Sequence, residues 1–110
     1  MREGEASRVD ETAAVVEVGT DPSGDAVVRL AGELDMATQD ELDLALVRLA
    51  APGVRIVVDL SAVSFIDSSG MRSLLAAHAA GASVVVRNAA PSVRRTIDLI
   101  GVHGILDVEA

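Results

Sequence analysis

From Ala26 onward the sequence alternates short runs rich in valine with longer stretches whose apolar residues recur at helical spacing. That alternation restricts the chain to very few architectures. The sharpest run is Val54–Leu60, where Val54, Ile56, Val58 and Leu60 alternate with Arg55, Val57 and Asp59, as a strand requires. Two further valine-rich runs, Ala26–Ala31 and Ser83–Arg87, read the same way, and Ile105–Val108 predicts a short last strand. Between them lie three helical patterns. Thr38 and Glu41 have capping-box spacing ahead of Leu42, Ala45, Leu46 and Leu49, and Pro52-Gly53 closes that helix. A second helix is expected from Ser69 to Ala80, ended by Gly81. A third opens on Pro91 as first helical residue and carries Val93, Ile97 and Ile100 to Gly101. Ahead of all this, Ala13–Val18 reads as a strand joined to Ala26–Ala31 by the turn Thr20-Asp21-Pro22-Ser23-Gly24-Asp25, so an N-terminal β-hairpin is expected. Strands alternating with helices imply right-handed crossovers and a mostly parallel sheet, made mixed by the hairpin. The expected fold class is α/β, with about four or five strands and helices packed against them.

Composition narrows the chemistry. The chain has 110 residues, enough for one domain, and half of them are apolar. Phe65 is its one aromatic residue, so the core must be built from Ala, Val, Leu and Ile. With no cysteine there are no disulfides, thiolate metal sites or cysteine nucleophile. Every basic residue is arginine, and without lysine neither a Walker phosphate loop nor a Schiff base is available. A net charge of −8, with no Trp or Tyr, argues against nucleic acid, whose binding draws on basic clusters and aromatic stacking. Residues 1–12 carry four carboxylates and two arginines and read as a mobile acidic tail before a domain spanning 13–110. No signal-type apolar segment or membrane-length run is present, and a cytoplasmic location is expected.

The stretch that carries chemistry is Asp59-Leu60-Ser61-Ala62-Val63-Ser64-Phe65-Ile66-Asp67-Ser68-Ser69-Gly70-Met71. A strand ends, an apolar connection passes Phe65, and a helix opens on Asp-Ser-Ser-Gly. Asp67, Ser68 or Ser69 could serve as the N-cap. Gly70 costs helix propensity in the first turn, which makes sense where another molecule must approach the backbone. A serine at a helix N-terminus also suits a phosphate, because free N–H groups and the helix dipole stabilise the added charge. Phosphorylation adds about −1.5 to −2 charge at one surface point and opposes any partner packed there.

These residues resemble the phosphorylation loop of STAS domains, specifically bacterial anti-sigma factor antagonists. Gly32-Glu33-Leu34-Asp35 is similar to the family's motif at the end of its second strand, and Pro91-Ser92-Val93-Arg94-Arg95 with Gly101-Val102 to its third helix and following turn. The resemblance spans roughly residues 13–108. It implies a single STAS domain that acts as a switch and not as an enzyme. Unphosphorylated, such a protein binds an anti-sigma factor that is also a serine kinase, and so frees a sigma factor. Phosphorylation ends the complex and a PP2C-type phosphatase restores the active form. The resemblance assigns phosphorylation to Ser68, with Ser69 the second choice, and maps the partner face onto Asp35, Met36, Asp67, Ser69, Gly70, Met71 and Arg72. It implies no cofactor and no metal. Where the family often has a serine before the third helix this chain has Ala90, and Ile97 and Ile105 stand where larger aromatics are expected.

The residues themselves agree with a partner face. Helical spacing places Met71, Leu74, Leu75 and His78 toward the sheet and Arg72, Ala76 and Ala79 on a smooth outer strip, either a docking surface or ordinary helix surface. Met36 is either an exposed anchor or a plug in the core. Other chemistries fit poorly. A serine hydrolase lacks the Gly-x-Ser-x-Gly elbow and a base beside Ser68, with His78 and His103 placed elsewhere. A receiver domain phosphorylated on Asp59 lacks its lysine and acidic cluster, and two distant histidines have no metal-ligand spacing. The alternative within the fold is a constitutive STAS subunit of a lipid-transport ABC system or of a stress-signalling assembly.

Overall fold

In a computed structural model, which describes residues 15–102 and 104–109, the chain forms a five-stranded sheet with three helices. The strands are β1 (Val15–Thr20), β2 (Ala26–Leu34), β3 (Arg55–Ile66), β4 (Ser83–Arg87) and β5 (Asp107–Val108). The helices are α1 (Gln39–Leu49), α2 (Ser68–Ala79) and α3 (Pro91–Ile100). Strand order follows the sequence, β1-β2-β3-β4-β5. The β1–β2 hairpin is antiparallel and every other pairing is parallel, so the expected mixed α/β sheet is present.

One aliphatic core joins sheet and helices. Val28 and Leu30 of β2, Ile56, Val58 and Leu60 of β3, and Val84 and Val86 of β4 point to the same side. They meet Leu42 and Leu46 of α1, Met71, Leu74 and Ala77 of α2, and Val93 and Ile97 of α3. Alternation along each strand sends the intervening residues to the second face. There the register aligns Glu17, Arg29, Asp59 and Arg87 across four strands, and Arg87 ends the row on Glu109 at 2.7 Å. Signs alternate at every step, an arrangement worth about 0.2–1 kcal/mol per cross-strand pair. Burial pushes the Asp59 carboxyl up, but hydrogen bonds from Ser61 and Asn88 and the nearby Arg29 charge outweigh it and hold Asp59 below its ordinary value. A hydrogen bond to Glu109 raises Arg87 in turn.

Several boundaries differ from the sequence expectation, each for a local reason. β2 runs on to Leu34 and β3 to Ile66, so Phe65 lies in a strand and not in a connection. The parallel ladder between them continues through register shifts at Arg29/Ala31 and Gly32/Glu33. Gly32 has φ +95°, open to glycine at no steric cost, and absorbs the irregularity. β1 runs on to Thr20, two residues beyond its expected end, while its expected start at Ala13 lies outside the described residues. β5 is shorter, because the N–H groups of Ile105 and Leu106 turn back to the carbonyl of Val102 before the strand can begin. The acidic tail at 1–12 and His103 lie outside the described residues.

The expected capping box at Thr38 is absent. Thr38 is buried, sits at φ −106° and ψ 0°, and makes no side-chain cap bond. Its hydroxyl instead donates to the Glu33 carbonyl at 2.8 Å and accepts from the Asp35 N–H at 3.1 Å, so it fastens the turn that precedes α1.

Candidate functional site

Because β2 and β3 are parallel and pair Leu34 with Ile66, they end side by side. The next residues, Asp35-Met36 and Asp67-Ser68, therefore leave the same carboxyl edge of the sheet, where open α/β sheets usually carry their function. The Leu34 carbonyl joins the two exits by accepting the Asp67 N–H at 3.1 Å.

Each exit is held by an aspartate folding its side chain onto the following backbone. Asp35 Oδ1 accepts the N–H of Ala37 at 3.0 Å and of Thr38 at 3.3 Å, and this turn leaves Met36 three-quarters exposed (77%) at its tip. Of the two readings of Met36, the exposed one is therefore found. Asp67 is the N-cap of α2, its Oδ1 accepting from Ser69 N at 2.8 Å and Gly70 N at 3.2 Å. With the aspartate in that role neither serine caps the helix. Ser68 becomes the first residue of α2, exposed, its hydroxyl in no hydrogen bond among the described residues. Ser69 is half-buried.

Gly70 is buried, for a reason the sequence does not reveal. A Cβ there would lie 2.6 Å from the Leu34 carbonyl oxygen, 2.8 Å from Leu34 Cβ and 3.0 Å from Ile66 Cγ1. The glycine lets α2 press against the ends of β2 and β3, so the close approach is within the molecule and not by a visitor. Met71 is also interior, only 1% exposed. Of the residues mapped to a partner face, Gly70 and Met71 thus shape the surface from beneath, while Asp35, Met36, Asp67, Ser69 and Arg72 reach it.

Along α2 the inward arc is Gly70, Met71, Ser73, Leu74 and Ala77. Arg72, Ala76 and Ala79 are exposed as the helical spacing predicts, and so is His78, which does not face the sheet. On the far flank Phe65 is half-exposed (47%), an apolar neighbour of the serine loop carried by the end of β3. A cleft of about 100 Å³ lies beside it, lined by Ser64, Phe65, Ile66, Ser92, Val93 and Thr96. That volume is below the roughly 300–1,000 Å³ common for ligand pockets.

A family model described as "Mlab, STAS domain" matches residues 18–107, including both exits and all three helices. The chain belongs to the STAS domain family. Among solved structures, this STAS domain is similar to an anti-sigma factor antagonist from Mycobacterium paratuberculosis. The two are 33% identical with a TM-score of 0.73, over 89% of this chain and 86% of the other. It is also similar to the anti-sigma factor antagonist SpoIIAA in its unphosphorylated form, at 25% identity and TM-score 0.53 over 87% and 89% of the two chains. The phosphorylated form of SpoIIAA, a Bacillus cell fate determinant, shares the fold at 21% identity and TM-score 0.60, over 87% and 92%. Among the described residues, no helix of the STAS domain is long and apolar enough to cross a membrane.

Proposed function

We propose that this chain is an anti-sigma factor antagonist, a binding switch and not an enzyme, working in the cytoplasm. In its unphosphorylated form it binds an anti-sigma factor that is also a serine kinase, through Asp35, Met36, Asp67, Ser69 and Arg72 on the surface, with Gly70 and Met71 below. The kinase transfers the γ-phosphoryl group of ATP to Ser68 Oγ, releasing ADP and the hydroxyl proton. A PP2C-type phosphatase hydrolyses the phosphoserine.

The observation that carries this reading is an exposed Ser68 with an uncommitted hydroxyl, because Asp67 already caps the helix. Adding a phosphate therefore breaks no bond of the fold. The amino end of α2 tolerates the new charge. A partner resting on Met36 and the outer strip of α2 would meet about −1.5 to −2 of added charge beside the carboxylates of Asp35 and Asp67, and repulsion with desolvation drives it off. The 33% identity to an anti-sigma factor antagonist supports the same reading.

The test is a pull-down from the native cell extract with unmodified and Ser68→Asp baits. Capture of a kinase of the ATPase fold by the first bait and its loss by the second supports the switch. Recovery of the same transporter subunits or large assembly by both baits rejects it, in favour of a constitutive subunit of a lipid-transport ABC system or a stress-signalling assembly. Incubation of Ser68→Ala with kinase and ATP locates the acceptor: phosphate still incorporated at Ser69 would move the site by one residue.

A further inference from the structure

On the flank of α1 away from α2, the helix stands off from the edge strand β1 and leaves an open groove of about 450 Å³. Its walls are apolar: Val16 and Val18 from β1, and Leu44, Ala45 and Leu49 from α1. Val18 is 54% exposed and Leu44 56%. Apolar side chains scattered singly over a surface need no explanation, whereas apolar residues lining one continuous groove make a candidate interaction site. Among the described residues, β1 is also the outermost strand, with its outer N–H and C=O groups unpaired. Its single charge, Glu17, lies on the other face of the sheet, in the row with Arg29. Edge strands usually carry stronger protection than that.

We propose that this groove is where two copies of the chain pair about a two-fold axis. The rim charges favour a second copy over any other occupant. Glu41 and Arg48 both border the groove, seven residues and so about two turns apart on one side of α1. Leu44 and Ala45 lie midway, three residues from Glu41 and from Arg48 respectively. This spacing reads the same from either end except that the sign of charge reverses. With the two-fold axis perpendicular to α1 the two helices run antiparallel, and residue i on one copy meets j on the other while j meets i. Glu41 of each copy then faces Arg48 of its partner, and Leu44 and Ala45 close over the axis. A parallel arrangement would set Glu41 against Glu41. The acidic first turn of α1, Asp40 and Glu41, and its basic last turn, Arg48, favour the same antiparallel choice. The groove is lined by neither Ser68 nor any residue of α2, so the pairing does not use the serine loop. The inference does not depend on the proposed function.

Sedimentation of the full-length chain from about 1 to about 500 µM, a span covering weak to stable pairs, tests it. Unmodified protein is expected to pass from monomer to dimer within that range. Glu41→Arg and Arg48→Glu are both at exposed positions, and circular dichroism is expected to find them folded. Each places two like-charge contacts in the symmetric interface and is expected to weaken self-association at least tenfold. A one-to-one mixture of the two variants is expected to form a mixed dimer. The arginine introduced in one variant then faces the glutamate introduced in the other, while the first variant's native Arg48 faces the second's native Glu41. A chain that stays monomeric throughout, single reversals that associate as well as the unmodified chain, or a mixture that forms no mixed dimer would each overturn the proposal.

Discussion

Gly70→Ala tests whether the serine loop is positioned by packing against β2. The new Cβ would enter about 0.6–0.8 Å inside ordinary contact with the Leu34 carbonyl oxygen and Cβ, and also press on Ile66 Cγ1. Ile66 can turn part of its side chain away. The Leu34 carbonyl cannot, because it is backbone in the β2–β3 ladder and accepts the Asp67 N–H. Such overpacking costs about 1–3 kcal/mol, and a rigid neighbour places it toward the upper end. Against this, alanine gains up to about 1 kcal/mol of helix propensity over glycine. The net expectation is a loss of about 1–2 kcal/mol, which lowers Tm by roughly 5–15 °C in a domain of this size. Thermal and urea unfolding followed by circular dichroism measure it. Gly19→Ala is the control, since nothing lies within 4 Å of a Cβ there and φ is not positive; its Tm is expected to be unchanged or slightly raised. If Gly70→Ala matched or exceeded the parent in Tm, propensity alone would govern the position. The contact between α2 and the end of β2 would then not be what holds Ser68 at the edge.

Other perturbations separate the remaining contributions. Asp67→Ala removes both cap bonds and is expected to cost about 1 kcal/mol, whereas Asp67→Asn keeps an acceptor and loses a few tenths; urea midpoints of the two variants distinguish them. Ser73→Ala is expected to raise stability by about 0.5–1 kcal/mol in the same assay, because the Ser73 hydroxyl is buried without a partner among the described residues. Asp59 is held below its ordinary value of 3.8, so the stability it contributes is fully present above that pH and is lost as pH falls through the lower folded-state value. Acid titration of the folded fraction should therefore be less steep below about pH 3.8 for Asp59→Asn than for the parent, and equal steepness would refute the assignment.

How far the sequence reveals this molecule depends on whether a feature is written in one segment or two. The strands and helices are legible because alternation in Arg55–Leu60 and the Leu42–Leu46–Leu49 stripe each record burial of their own element. Thr38 departs from its local motif because its neighbour in space, the Glu33 carbonyl, competes for the hydroxyl that a capping box would aim at the helix. The turn contact wins. His78 is exposed and not buried as expected, although it lies one turn beyond buried Leu74. The inward arc of α2 includes Gly70, Ser73 and Ala77, small residues that carry little hydrophobic signal, beside Met71 and Leu74, so the visible pattern of Met71, Leu74 and Leu75 points off-centre.

Gly70 shows the same division at the site itself. Asp67 and Ser68 can be understood from α2 alone, as a cap and the first residue beyond it. The glycine two residues later cannot, since its reason lies on β2, thirty-six positions earlier at Leu34. One carbonyl oxygen both accepts the Asp67 N–H and leaves no room for a side chain at position 70. A helix that kept its cap but gained a methyl there would have to tilt away from the strand end. Ser68 would then separate from Asp35 and Met36, although no residue of the exposed patch had changed. The serine's place beside Met36 is therefore a property of the β2–β3 register, and a buried substitution that shifts that register is expected to weaken the proposed partner binding without changing any residue of the proposed face.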